Sequence, residues 1–235
     1  MPRSKINYHP IDRFVQYDEA QWALFHSIRK SAKQVADQLH LAGFEFYIYG
    51  SVARGDVTPK SDIDLIVLTK ISSFQIETAL EQSDMQIVGK EIVQATPGDA
   101  IKGHIYLPNN TAISFFLSEA NEVSWDFYKF GGAINHEMLK KNIRSPGVTK
   151  ALMLIIPNEK GHRMINLIGN ETYAYQILNI SPKIVDIRKR VLLKRDKVGR
   201  TGVFLKNQLD LDQNFEEELK KIADINPIVR RKLLK

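Results

Sequence analysis

The sequence predicts an α+β fold, with a small mixed sheet and helices first and a mainly helical C-terminal domain after it. Three observations lead there. Short apolar runs bounded by turn residues, at 46–49 and 65–68, alternate with helical stretches in the first part of the chain. Two further apolar runs flank a compact Pro-Asn-Asn turn at 108–110. Past residue 170 the apolar periodicity becomes helical.

Taken in order, residues 18–42 read as a helix. Asp18 caps it with Gln21 three residues on. Leu24, Phe25, Ile28, Ala32, Val35, Ala36 and Leu39 form an apolar stripe, and Gly43 ends it. A strand at 46–49 precedes the Gly50-Ser51 turn, and another follows at 65–68. Residues 74–82 suit a short helix and 86–95 a strand, while 102–107 and 111–117 form a hairpin. A domain boundary is expected near Ser145-Pro146-Gly147, dividing the chain into 1–145 and 146–235. Farther on, 171–195 predicts two helices joined by a turn, with Ser181 as N-cap and Pro182 at the first helical position. Residues 216–225 predict one more helix, and Arg230-Arg231-Lys232 a loose basic tail.

The chemistry concentrates in residues 50–64, Gly-Ser-Val-Ala-Arg-Gly-Asp-Val-Thr-Pro-Lys-Ser-Asp-Ile-Asp. Gly50 lets the backbone approach a ligand closely, and Ser51 offers a hydroxyl and an N–H where a helix begins, a setting that suits phosphate. Asp62 and Asp64 flank Ile63 in a strand, so period-2 alternation sets both carboxylates on one face. Paired carboxylates suit Mg²⁺, which is commonly held by one or two carboxylates together with water and substrate phosphate. Arg54 follows at a distance from which it could reach phosphate or act as a surface charge.

This segment resembles the signature of the DNA polymerase beta-like nucleotidyltransferase superfamily: an apolar strand, Gly-Ser, a spacer of about ten residues, then Asp-x-Asp in a second strand. Its nearest relatives are expected among prokaryotic members, archaeal ones included. The resemblance implies an NTP as substrate, ATP among the candidates, with Gly50, Ser51 and Arg54 at the nucleotide. Asp62 and Asp64 would be the catalytic, metal-holding pair for Mg²⁺ or Mn²⁺. In relatives, a strand bearing a third carboxylate precedes an aromatic-Gly turn. Phe130-Gly131-Gly132 is loosely similar to that turn, and the spacing then puts Ser114 at the third position. Glu91, Glu119 and Asp126 are the alternative acids.

Charge divides along the chain. Residues 1–145 hold 15 Lys+Arg against 17 Asp+Glu, whereas 146–235 hold 18 against 10. Such a surplus suits a polyanion partner, nucleic acid above all, though a merely solvated basic surface has the same composition. The paired helices of 171–195 resemble a helix-turn-helix with Lys183, Arg188, Lys189 and Arg190 on the second helix, or equally a plain helical hairpin. Gly199-Arg200-Thr201-Gly202 suits a phosphate-contacting loop. With no cysteine, disulfides and thiolate metal sites are excluded. No run reaches membrane-span length and Met-Pro-Arg-Ser-Lys lacks a signal peptide's apolar core, so a cytoplasmic protein without membrane partners is expected.

The leading expectation is a metal-dependent nucleotidyltransferase that moves a nucleoside monophosphate to a hydroxyl acceptor, with nucleic acid the favoured acceptor. Two rivals stand beside it: a non-catalytic nucleic-acid-binding protein that retains the fold, and a transferase acting on a small-molecule or protein hydroxyl.

Overall fold

A computed structural model describes residues 6, 8–120, 124–199 and 202–234. In chain order, β1 (Asp12–Gln16) leads into α1 (Glu19–Leu41). Asp18 starts α1 by accepting from the Gln21 amide at 2.7 Å, as the capping pattern predicts. Then come β2 (Phe46–Tyr49), α2 (Ser51–Arg54), β3 (Ile63–Lys70), α3 (Ser73–Glu81) and β4 (Gly89–Gln94). The predicted hairpin forms from β5 (Lys102–Leu107) and β6 (Thr111–Phe116), with Leu107 opposite Thr111. Next are α4 (Ser124–Phe130), β7 (Ala133–Ile134), α5 (His136–Lys140), β8 (Gly147–Val148), β9 (Met153–Asn158) and β10 (Gly161–Asn166). The chain closes with α6 (Glu171–Leu178), α7 (Pro182–Val198), β11 (Leu205–Leu209), α8 (Phe215–Ile225) and α9 (Pro227–Leu233).

Contacts group these elements into two compact units, each discontinuous in sequence. Met1–Ser31, Ile48–Ser61 and Val123–Thr201 form the first, and Ala32–Tyr47, Asp62–Glu122 and Gly202–Lys235 the second.

In the first unit an antiparallel sheet runs β1-β10-β9-β8. Its register sets Asp12 opposite Ile165 and Met153 opposite Asn166. A core of Phe130, Leu154, Ile165, Ala174, Ile184 and Val185 joins the sheet to α4, α6 and α7. Asn179 takes a left-handed conformation after α6, and the Ser181 hydroxyl caps α7 by accepting from the Lys183 amide. The C-terminal region is helical as expected, but residues 147–166 add three strands to it. The turn residues Asn158 and Gly161 that join β9 to β10 were the available signal.

The second unit holds a mixed sheet in the order β11-β4-β5-β6-β3, continued by the start of β2. β3 and β6 are parallel, while β4, β5 and β6 form an antiparallel meander and β11 lies antiparallel to β4. Its two faces differ in chemistry. Ile63, Leu65 and Val67 of β3, Ile113 and Phe115 of β6, and Ile105 of β5 are all buried on one face. There α8 packs, with the Phe215 ring 5.1 Å from Phe115 in an edge contact. Opposite-parity positions form the other face, where Asp64, Ser114, His104, Tyr106 and Glu91 stand. The expected loose tail is instead α9, since Asn226 caps it by accepting from Ile228 and Val229, and the Arg230 Nε donates to the Ala223 carbonyl at 3.0 Å.

Candidate active site

Gly50 has φ 83, a conformation that a side chain would strain, and this bends the chain from β2 into α2. Its amide donates to the Gly132 carbonyl at 2.9 Å. The Ser51 hydroxyl lies 3.1 Å from that of Ser61, which in turn accepts from the Thr58 amide at 2.9 Å. These bonds fix both ends of the spacer. The structure thereby brings the aromatic-Gly-Gly turn, singled out on sequence grounds, against the Gly-Ser turn.

Arg54 is buried in a structural role. Its Nε and Nη2 meet both Asp56 carboxylate oxygens at 2.9 and 3.0 Å, while Nη1 donates to the Gly131 carbonyl at 2.5 Å. Arg29, which the sequence did not single out, does related work from α1. Its Nε donates to the Val52 carbonyl at 2.9 Å, and its Nη2 to Ala53 at 3.3 Å and Ile143 at 3.0 Å. Burial, and after it the nearby Arg144 charge, pushes its guanidinium down to about 10.

In the second unit, Asp62 is exposed immediately before β3, and Asp64 is half-buried one residue into the strand. Opposite Asp64 on β6 is Ala112, and the next pair on the same face is Ile66 with Ser114. Ser114 therefore shares the face of Asp64, the parity expected from its spacing. No carboxylate stands beside Asp64 on β6. Of the alternative acids, Glu119 is exposed and lies 3.4 Å from Lys70. Asp126 accepts from the Ser181 amide at 2.9 Å and holds the entry to α7. Glu91 shares the face of Asp64, but β5 and β6 intervene, and it accepts from the Tyr106 hydroxyl at 3.0 Å while Lys206 pairs with it at 3.1 Å.

The same face carries a residue the sequence reading passed over. His104 on β5 lies between Glu91 and Ser114 in register, and its Nδ1 is 2.8 Å from the Ser114 hydroxyl. Burial pushes its imidazole down to about 4, with Lys102 assisting and Glu91 opposing, so the ring is neutral at neutral pH. Burial also raises the Tyr106 phenol to about 12, helped by its bond to Glu91 and by the charges of Glu91 and Asp64. A signal for His104 was available, because counting back from the 108–110 turn puts residue 104 opposite 114.

Residues 28–123 match the family model described as the nucleotidyltransferase domain. The segment is similar to nucleotidyltransferase domains. It is consistent with the DNA polymerase beta-like superfamily, and nucleotidyl transfer is the general chemistry it supports. No curated protein and no solved structure matches the chain. The matched span of the nucleotidyltransferase domain takes in the Gly-Ser turn, both aspartates and the polar strands β4, β5 and β6.

The four basic residues expected on α7 behave differently from one another. Lys183 and Arg190 are exposed. Lys189 pairs with Glu171 at 2.7 Å. The Arg188 guanidinium lies 4.4 Å over Phe127 and 5.7 Å over Phe130, and burial pushes it down to about 10. Of the glycine-flanked loop at 199–202, Arg200 and Thr201 lie outside the described residues. Among the described residues, no helix is long and apolar enough to cross a membrane.

Proposed function

We propose that this chain is a Mg²⁺- or Mn²⁺-dependent nucleotidyltransferase that moves a nucleoside monophosphate from an NTP such as ATP to a hydroxyl acceptor, releasing pyrophosphate. The observation that carries the reading is the acid pair at the head of β3: Asp64 on the polar face of a sheet whose other face is committed to the core, and Asp62 exposed immediately before the strand. Among the described residues no cluster of three or more His, Asp or Glu side chains could cage a metal. That donor set fits a hard ion held by two carboxylates and completed by substrate phosphate oxygens and water. When bound, such an ion supplies charge neutralisation at the reacting phosphate. Asp62 and Asp64 would hold it, and the motif's likeness to the family makes the Gly50-Ser51 turn the proposed triphosphate contact, with Ser51 as a donor.

Nucleic acid is the acceptor class favoured by the basic surplus of residues 146–235, and Lys183 and Arg190 are its best-exposed contacts on α7. The helix-turn-helix resemblance of α6 and α7 belongs to this proposal. A second reading is favoured by Ala112 opposite Asp64 and Ser114 beyond it: without a third carboxylate, the domain would bind nucleic acid and not transfer. The test is calorimetry with Mg²⁺·α,β-methylene-ATP on the parent and on Asp62→Asn/Asp64→Asn, with a thermal scan to confirm that the variant folds. Loss of binding in a folded variant is expected, and undiminished binding would refute the site. A labelled-NTP transfer screen over tRNA, DNA primer, protein and small-molecule hydroxyls then separates transferase from binder.

A further inference from the structure

Transfer to a hydroxyl requires that the hydroxyl lose its proton as its oxygen attacks the α-phosphorus, so a group on the reaction face must accept that proton. Around Asp64 the choice is narrow. The Tyr106 phenol is protonated and donates to Glu91; Lys102 and Lys206 are cations; Glu91 is held by Tyr106 and Lys206 with β5 and β6 between it and β3. Ala112 offers nothing, and Ser114 is buried with its hydroxyl against His104.

His104 differs from all of these. It is half-buried, whereas Ser114 beyond it is fully buried, so the ring is the more accessible member of the pair. With Nδ1 engaged by Ser114, its Nε2 has no hydrogen-bond partner among the described residues. One strand separates β5 from β3, roughly 10 Å between their axes, and His104 stands in the row of Ser114 and Ile66, one pair along the same face from the row of Tyr106, Ala112 and Asp64.

We infer that His104 is the general base of this domain and that Ser114 is its positioning residue. The inference rests on the nucleotidyltransferase reading above. In the step, the acceptor O–H proton passes to Nε2 while the acceptor oxygen forms a bond to the α-phosphorus. The bond from that phosphorus to the bridging oxygen of the β-phosphate breaks, and pyrophosphate leaves with the electron pair. The role requires one tautomer: Nδ1–H donates to the Ser114 oxygen, leaving the lone pair on Nε2. The resulting imidazolium sits beside the Glu91 carboxylate, which favours it, and near Lys102, which does not. A ring depressed to about 4 has the basicity of an ordinary carboxylate without its charge. This explains how a face with serine and alanine beside the aspartates still has a proton acceptor.

The test is nitrogen-detected NMR of the His104 ring in ¹⁵N-labelled full-length protein, with the signal assigned by its loss in His104→Gln. The expected result is the Nδ1–H tautomer at neutral pH, a ring titrating well below the ordinary histidine range, and broadening of its signals by Mn²⁺·α,β-methylene-ATP. Ser114→Ala should shift the tautomer toward Nε2–H without weakening binding of the analogue. Pyrophosphate release from Mg²⁺·ATP, with water as acceptor, should fall about 100-fold in His104→Gln while calorimetric affinity for the analogue holds. An Nε2–H tautomer in the parent, sharp ring signals with the Mn²⁺ complex bound, or full turnover in His104→Gln would each overturn the inference. Failure of the analogue to bind at all would instead remove the functional reading beneath it.

Discussion

Replacing Arg54 by alanine distinguishes a phosphate ligand from a strut. The Arg54 side chain is 8% exposed and Asp56 17%, and both guanidinium edges are engaged, by the carboxylate and by the Gly131 carbonyl. Removing the guanidinium leaves a largely buried carboxylate and a carbonyl without their donor. Breaking a buried pair by deleting one partner costs about 3–5 kcal/mol, and the partial exposure of Asp56 points to the lower end, about 3 kcal/mol. For a chain of this length that lowers Tm by roughly 6–12 °C. Arg54→Ala/Asp56→Ala removes the orphaned charge as well, so it should cost less than the two single changes summed, with a coupling of about 2 kcal/mol. Urea and thermal unfolding followed by circular dichroism measure all four corners of the cycle, and calorimetry with Mg²⁺·α,β-methylene-ATP runs alongside. If Arg54→Ala unfolds within about 0.5 kcal/mol of the parent yet binds the nucleotide more than tenfold more weakly, the guanidinium is a phosphate ligand and the structural assignment is wrong.

His104 also makes stability depend on acid. Its folded pKa of about 4 lies below the ordinary value of 6.5, so between those pH values the unfolded chain binds the extra proton and stability rises with pH, levelling above about 6.5. Urea unfolding should show His104→Gln losing about 2 kcal/mol less than the parent on going from about pH 7 to about pH 5, and equal losses would contradict a buried neutral ring. On α7, replacing Lys183 and Arg190 by alanine should flatten the salt dependence of duplex-DNA affinity by about 0.9 in log-log slope for each lost phosphate contact. Arg188→Ala should instead lower Tm, because its guanidinium packs on Phe127; a variant that kept its Tm but lost DNA affinity would reverse that assignment. Gly103→Ala should cost about 1–3 kcal/mol, since the added methyl would stand 2.3 Å from the buried Phe115 ring, and Phe115→Leu in the same chain should recover part of the lost Tm.

Local signals carried the sequence reading a long way. Asp18 and Gly43 bracket α1, the Pro-Asn-Asn turn makes the β5–β6 hairpin, and Ser181-Pro182 starts α7, because caps, turns and periodicity act within a few residues. The spacing from Gly50-Ser51 to Asp62 and Asp64 likewise sufficed to suggest the family, and the likeness of Phe130-Gly131-Gly132 to the family's aromatic-Gly turn pointed to Ser114, which shares the face of Asp64. Other features depended on partners far away in sequence. β1 escaped notice because its pairing is with β10, Asp12 meeting Ile165, and nothing within five residues announces a partner so distant. The basic run on α7 looked uniform, yet Phe127 takes up Arg188 and Glu171 takes up Lys189. Arg54 read as a surface or ligand charge until Asp56 and Gly131 enclosed it.

By itself, then, the sequence determined where the Gly-Ser turn and the two aspartates fall in the chain and the order of the elements around them, since a strand's alternation and a turn's geometry are set by the residues at hand. Only the tertiary structure decided which polar groups keep their charge and their exposure. Cross-strand register set His104 against Ser114 and Glu91, and burial made the imidazole neutral, because desolvation depends on what covers a side chain and not on its neighbours in the chain.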